Sequence, residues 1–252
     1  WFVASVVICV AAAWGYLRLA TPVYNVSATV LIKDDKKGGG ASMSSELEKM
    51  GLDGFVSSSS NVDNEIEVLK SKSLAREVVE RLNLFVTYKD KDEFPVRELY
   101  RTSPITVSLT PQEADNLPKP MEVAMILQPS GAMDVQITVG EKEYQKQFDK
   151  LPAVFPTDEG TVAFFANSDT LTSVRPDSVT TERHITAFIH RPSSVAKGYT
   201  NSLSIAATSK TTSVAVISLN NSSTRRGKDF IDKLLEMYTV SYTHLRAHET
   251  KA

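Results

Sequence analysis

A single cysteine, Cys9, among 252 residues excludes an intrachain disulfide and, with it, the small extracellular scaffolds that depend on cross-links. Charge of one sign is never in large excess: 28 Lys and Arg stand against 30 Asp and Glu, a net charge of −2. Without a basic surplus there is no global pull toward nucleic acid, which is excluded as a partner. The phosphate-loop pattern, GxxxxGK followed by Ser or Thr, is missing. Gly38 to Gly40 sit beside lysines but precede no hydrophobic helix, so they read as a flexible loop. Also missing is any pattern of nucleophile, base and orienting group, and no catalytic, cofactor or metal residue is assigned. His184 and His190 share one face of a strand, but six steps at about 3.3 Å part them by roughly 20 Å, too far for one metal.

What is present begins with an uncharged apolar run, Trp1 to Leu17. At about 1.5 Å per residue it covers most of a hydrocarbon core of roughly 30 Å, and a transmembrane helix over 1–20 is expected. The chain opens on Trp1 rather than Met, so further residues upstream are expected. Trp14 and Tyr16 fall where an interfacial aromatic belt would lie, and Arg18 can snorkel to the headgroups. The alternative is a cleaved leader, because Ala11 and Ala13 have small-x-small spacing, yet the apolar run continues past them. On either reading the remainder lies across the membrane.

In Tyr24 to Lys33, the residues Tyr24, Val26, Ala28, Val30 and Ile32 alternate with polar ones, the period of a half-buried strand. Residues 34–60 are rich in Gly and Ser and read as a mobile excursion. Asn61 to Leu84 is helical, with Ile66, Leu69, Val78 and Leu82 on a stripe, Asn61 or Asp63 as N-cap, and a division near Ser71 and Ser73. A polar linker with Pro95 follows. Alternation then returns at Ile105 to Leu109, Met121 to Leu127 and Met133 to Val139. Turns at 129–131 and 140–142 make these an antiparallel meander that continues through Tyr144 and Phe148. Residues 151–178, with Pro152, Pro156 and Gly160, read as an edge strand or loop. Ile185 to His190 is a strand, followed by a short connection with Pro192 and Gly198, then strands at Leu203 to Ala206 and Val214 to Leu219. Arg225 to Thr239 is a helix with Phe230, Ile231, Leu234, Leu235 and Tyr238 on its apolar face, capped by Ser223 or Thr224. The sequons at Asn25 and Asn221 are assigned no role.

Arg225, Arg226 and Lys228 stand at that helix's N-terminus, where cations oppose the dipole by a few tenths of a kcal/mol. They are candidate contacts for an anionic partner, a lipid pyrophosphate or an acidic glycan; the structural alternative is a solvated basic turn neutralised by Asp229 and Asp232. The last stretch, Val240 to Thr250, resembles one reading frame of a sequencing adapter. Residues 240–252 are therefore set aside as a non-native tail, and the His244, His248 and Glu249 grouping with them.

Three stretches together resemble the periplasmic chain-length determinants, the Wzz-type polysaccharide co-polymerases: the apolar run into TPVYNVSATVLIKDD, then DNEIEVLKSKSLAREVVERLNL, then SLSIAATSKTTSVAVISLNNSSTRRGKDFIDKLLEMY. The resemblance implies an α+β fold, with a membrane helix and a periplasmic antiparallel or mixed sheet packed with amphipathic helices. It implies a domain over 21–239; the stretch 103–178 departs from the family core in being richer in strands and reads as an insertion. It further implies a bacterial inner-membrane protein forming a homo-oligomeric ring beside the polysaccharide polymerase and export machinery, in reach of lipid-linked glycan and without enzymatic activity of its own. Some relatives carry a cytoplasmic tyrosine autokinase, of which this stretch would be the regulatory part. From outside the resemblance, the competing expectation is a ligand-sensing ectodomain.

Overall fold

The computed structural model describes residues 1–19, 22–32, 62–92, 96–167, 182–209 and 214–249. The 34–60 excursion with Gly38 to Gly40, Asn61 as a cap, the end of the 151–178 stretch and the side chains of His244, His248 and Glu249 lie outside the described residues.

The first helix, α1 (Phe2–Leu19), is 18 residues long. That is about 27 Å at 1.5 Å per residue, short of a hydrocarbon core of roughly 30 Å. No helix among the described residues is long and apolar enough to cross a membrane, so the expected spanning helix over 1–20 is not supported. The helix is nonetheless apolar on every side and solvent-facing: Phe2, Val7, Ile8, Val10, Trp14 and Leu17 are all exposed.

The rest of the chain divides into two compact units. One comprises Tyr24–Leu84 and Pro192–Ala252, and the other takes in Phe85–Arg191. The insertion boundaries thus fall at 84/85 and 191/192, wider than the 103–178 expected from sequence, because flanking strands belong to the inserted sheet.

The discontinuous unit holds a three-stranded antiparallel sheet in which β12 (Val214–Asn221) lies between β1 (Tyr24–Leu31) and β11 (Leu203–Ala207). Ile205, Ala215, Ile217 and Leu219 are buried, the alternate positions of strands with one covered face. Helices α5 (Pro192–Ser202) and α6 (Thr224–Glu249) pack on this sheet, and α3 (Lys72–Arg81), which follows α2 (62–69), packs on both of them. The expected stripe faces inward, with Ile66, Leu69 and Val78 buried. The expected break is where α3 begins: Ser71 is its N-cap and its hydroxyl accepts from the Leu74 amide at 3.3 Å. Asp63 lies inside α2 rather than capping it. Helix α3 ends in a Schellman motif, with Asn83 left-handed at φ 55°, Leu84 N–H donating to Val79 O at 2.9 Å and Asn83 N–H to Glu80 O at 3.2 Å. The short connection expected at 192–202 is instead the helix α5. Pro192 fits its first turn, and Ala196 and Tyr199 are buried, so packing overrides the low propensity of Gly198 and the Ser and Thr residues.

The inserted unit has a six-stranded antiparallel sheet ordered β3-β2-β10-β5-β6-β7 and a three-stranded sheet ordered β4-β9-β8. The first contains β2 (Val86–Asp90), β3 (Arg97–Glu98), β5 (Met121–Leu127), β6 (Met133–Val139), β7 (Lys142–Phe148) and β10 (Arg183–Ile189); the second contains β4 (Ile105–Ser108), β8 (Ala153–Thr157) and β9 (Gly160–Ala166). The predicted meander is present, and Gly140 opens its β6–β7 turn with φ 65°, the conformation a tight hairpin asks of its first loop residue. Residues read as a polar linker form β2, and β8 is an edge strand able to hold Pro156. Phe148 packs against Phe155 and Phe164, with ring centroids 6.0 Å apart in each pair. Tyr88 completes the join between the sheets: its hydroxyl accepts from Val107 N–H at 2.8 Å, satisfying an edge amide of β4. Burial, opposed by the Val107 backbone, pushes the Tyr88 phenol up to about 12.

Between β4 and β5 lies a helix not expected from sequence, α4 (Pro111–Asn116). It starts with a capping box: the Thr110 hydroxyl accepts from Glu113 N–H while the Glu113 carboxylate accepts from Thr110 N–H. The same carboxylate accepts from Thr161 N–H at 3.2 Å, tying α4 to β9. Gly160, at φ 147°, passes so close that an added Cβ would sit 3.0 Å from Leu109 Cδ1 and 3.1 Å from Glu113 Cβ. Substitution Gly160→Ala is therefore expected to destabilise the inserted unit by about 1–3 kcal/mol, measured by urea denaturation.

The Thr110 hydroxyl above all, with the Thr161 and Thr110 amides, holds the Glu113 carboxyl below its ordinary range, against a smaller effect of desolvation. A depressed folded-state value gives stability that is full above the unfolded value of about 4.3 and is lost as pH falls through the folded one. In acid titration from pH 6 downward, Glu113→Gln should start less stable than the wild type and lose less as the pH drops.

Candidate functional site

The candidate cations sit where β12 passes into α6. Asn221 Oδ1 accepts from Ser223 N–H at 3.0 Å, turning the chain, and Ser223 Oγ accepts from Arg226 N–H at 3.4 Å. Ser223 is thus the N-cap, and the first helical bond runs from Gly227 N–H to Ser223 O at 3.0 Å. Starting there, the helical period sends neighbouring residues to different sides. Arg225 and Lys228 are exposed, whereas Arg226 is 8% exposed and points inward. The expected basic patch of Arg225, Arg226 and Lys228 is therefore not one surface.

Arg226 Nε donates to Tyr199 Oη at 2.9 Å, and its Nη2 donates to the Leu84 carbonyl. Asn221 Nδ2 donates to the same hydroxyl at 3.4 Å, and the Tyr199 ring stacks on Phe230 at 4.3 Å. The Leu84 carbonyl lies just past the C-terminus of α3, where the helix dipole favours a cation. A cation opposed by the dipole at the start of α6 is thus well placed past the end of α3. The helical spacing 226, 230, 234 and 237 puts Arg226 on the stripe of Phe230, Leu234 and Met237, all buried, and that spacing was the available signal. Gly227 lets α6 lie close to β1, since a Cβ there would stand 3.1 Å from Val26 Cγ2.

An open cleft of about 350 Å³ adjoins this cluster, between α5 and the end of β12. Val195, Gly198, Tyr199 and Ser202 line it from the helix, with Asn220, Asn221, Ser222 and Arg226 opposite. Tyr199 and Gly198 had been read only as parts of a connection.

Neither histidine reaches this site. In the inserted unit, His184 N–H donates to Asp92 Oδ2 at 2.8 Å and its Nδ1 lies 3.0 Å from Asp92 Oδ1. That amide, first among several donors, lowers the Asp92 carboxyl, and the pair pins the turn after β2. His190 N–H donates to Phe85 O at 2.9 Å. Among the described residues no group of three or more His, Cys, Asp or Glu could hold a metal.

The family model for Wzz, chain length determinant protein, matches residues 1–82 of the chain. The match runs from α1 through the end of α3 and stops just short of the inserted unit. No curated protein matches the chain.

Removing the buried guanidinium takes away the hydrogen bonds it donates to the Leu84 carbonyl and the Tyr199 hydroxyl. Arg226→Ala is expected to destabilise by about 2–4 kcal/mol, with Arg226→Lys recovering only part because it lacks the planar fork. Arg225→Glu and Lys228→Glu should stay within about 0.5 kcal/mol of wild type in the same denaturation assay.

Proposed function

We propose that this protein sets the chain length of a bacterial surface polysaccharide as a membrane-anchored, periplasmic co-polymerase. The observation that carries this reading is the chain length determinant match over residues 1–82. A second supports the anchor: α1 is apolar all round and exposed, and such a helix requires an apolar surrounding. In this reading α1 lies in the inner membrane. The α+β units stand in the periplasm, and copies assemble as a ring beside the polymerase and export machinery, in contact with lipid-linked glycan.

A body without catalytic groups can govern a polymer's length through repetition. Contacts that are weak singly become strong when a symmetric assembly presents them many times to one growing chain. Geometry, rather than bond chemistry, then decides when elongation stops.

Deletion of the gene in its own bacterium, followed by electrophoresis of the surface polysaccharide, is expected to replace a narrow length distribution with a broad one. An unchanged distribution would overturn the reading. The full-length protein solubilised in detergent is expected to sediment as an oligomer; a strict monomer at membrane-like density contradicts the ring.

A further inference from the structure

We propose that the cleft between α5 and the β12–α6 turn is a saccharide-binding site, an inference that rests on the polysaccharide role proposed above and gives it a place on the molecule. Its volume of about 350 Å³ lies within the range of roughly 300–1,000 Å³ typical of small-ligand sites. Its lining is mixed, apolar surface interrupted by asparagine and serine side chains that suit sugar hydroxyls. The Asn220 and Asn221 carboxamides each carry both donors and acceptors, Ser202 and Ser222 add hydroxyls, and among the described residues no carboxylate lines the cleft.

The residues that shape the cleft are held before any ligand arrives. Asn221 is fixed by its bonds to Ser223 N–H and Tyr199 Oη, and Asn220 Oδ1 accepts from Asn25 Nδ2 at 2.8 Å. Tyr199 is clamped between Phe230 and the Arg226 guanidinium. Groups fixed in this way lose little freedom on binding.

Gly198 is the most telling member. It sits inside an 11-residue helix, where glycine is among the poorest choices, and no packing contact requires it: an added Cβ would meet no heavy atom within 4 Å. The open space over it belongs to the cleft. Gly198 keeps the helix backbone accessible to whatever lies there, at the expense of local helix stability.

The test uses full-length protein in a detergent without a sugar headgroup. It is titrated with repeat-unit oligosaccharides hydrolysed from the surface polysaccharide of the same bacterium, and followed by saturation-transfer NMR. Saturable binding is expected, weakened at least tenfold by Gly198→Leu, which fills open space and, by removing a helix-interior glycine, should leave the melting temperature no lower than that of the wild type. Asn220→Ala, an exposed change on the opposite wall, should weaken binding severalfold and serves if the leucine variant misfolds. Absence of binding to wild type, or undiminished binding to both variants, overturns the proposal. The gene-deletion phenotype is read separately: a lost length distribution with no oligosaccharide binding removes the cleft and leaves the co-polymerase role standing.

Discussion

The buried guanidinium of Arg226 is the constraint around which the discontinuous unit is organised. Its donors meet partners 27 and 142 residues away in the chain, Tyr199 and Leu84, so one side chain fixes the start of α6, the body of α5 and the exit of α3. A buried cation is tolerated only where its donors find acceptors. Two of those acceptors are neutral, a carbonyl past a helix C-terminus and a phenolic oxygen, and the attraction of the α3 dipole adds to the bonds themselves. The same contacts hold Tyr199 upright as a wall of the adjoining cleft.

The inserted unit follows a different logic. Its sheets are joined mainly by sequential antiparallel pairings, and the strands at its two ends, β2 and β10, pair directly over Val86 to Asp90. Entry and exit of the chain are thereby brought together, as His190 N–H bonding to Phe85 O shows.

Much of this was legible in the residues. The meander is marked by apolar residues at every second position from Met121 and again from Met133, with glycine in its turns, and the division of the 61–84 helix is marked by Ser71. What escaped had weaker local signals. Helix α5 was hidden by Gly198 and a run of hydroxyl residues, and only packing of Ala196 and Tyr199 stabilises it. Helix α4 did carry a sign, Thr110-Pro111 with Glu113, in six residues too few for a periodic stripe. The candidate cations were grouped by proximity in sequence, whereas the helical period separates Arg226 from Arg225 and Lys228. Strand β2 was obscured by Lys89 and Asp90, the latter buried beside Arg183 at 3.2 Å, a pairing 93 residues distant that no local pattern reveals.

The register of β1 against β12 has a mechanical consequence. Tyr24 is opposite Asn221 and Leu31 opposite Val214, so tension entering at Tyr24 and leaving through α6 peels the ladder from one end, rung after rung, instead of shearing all rungs together. The Asn25–Asn220 side-chain bond and the Asn221 turn sit at that first-loaded end. They act as a clasp: while it stays shut the strands behind it bear no load, and once it opens little else resists the tear.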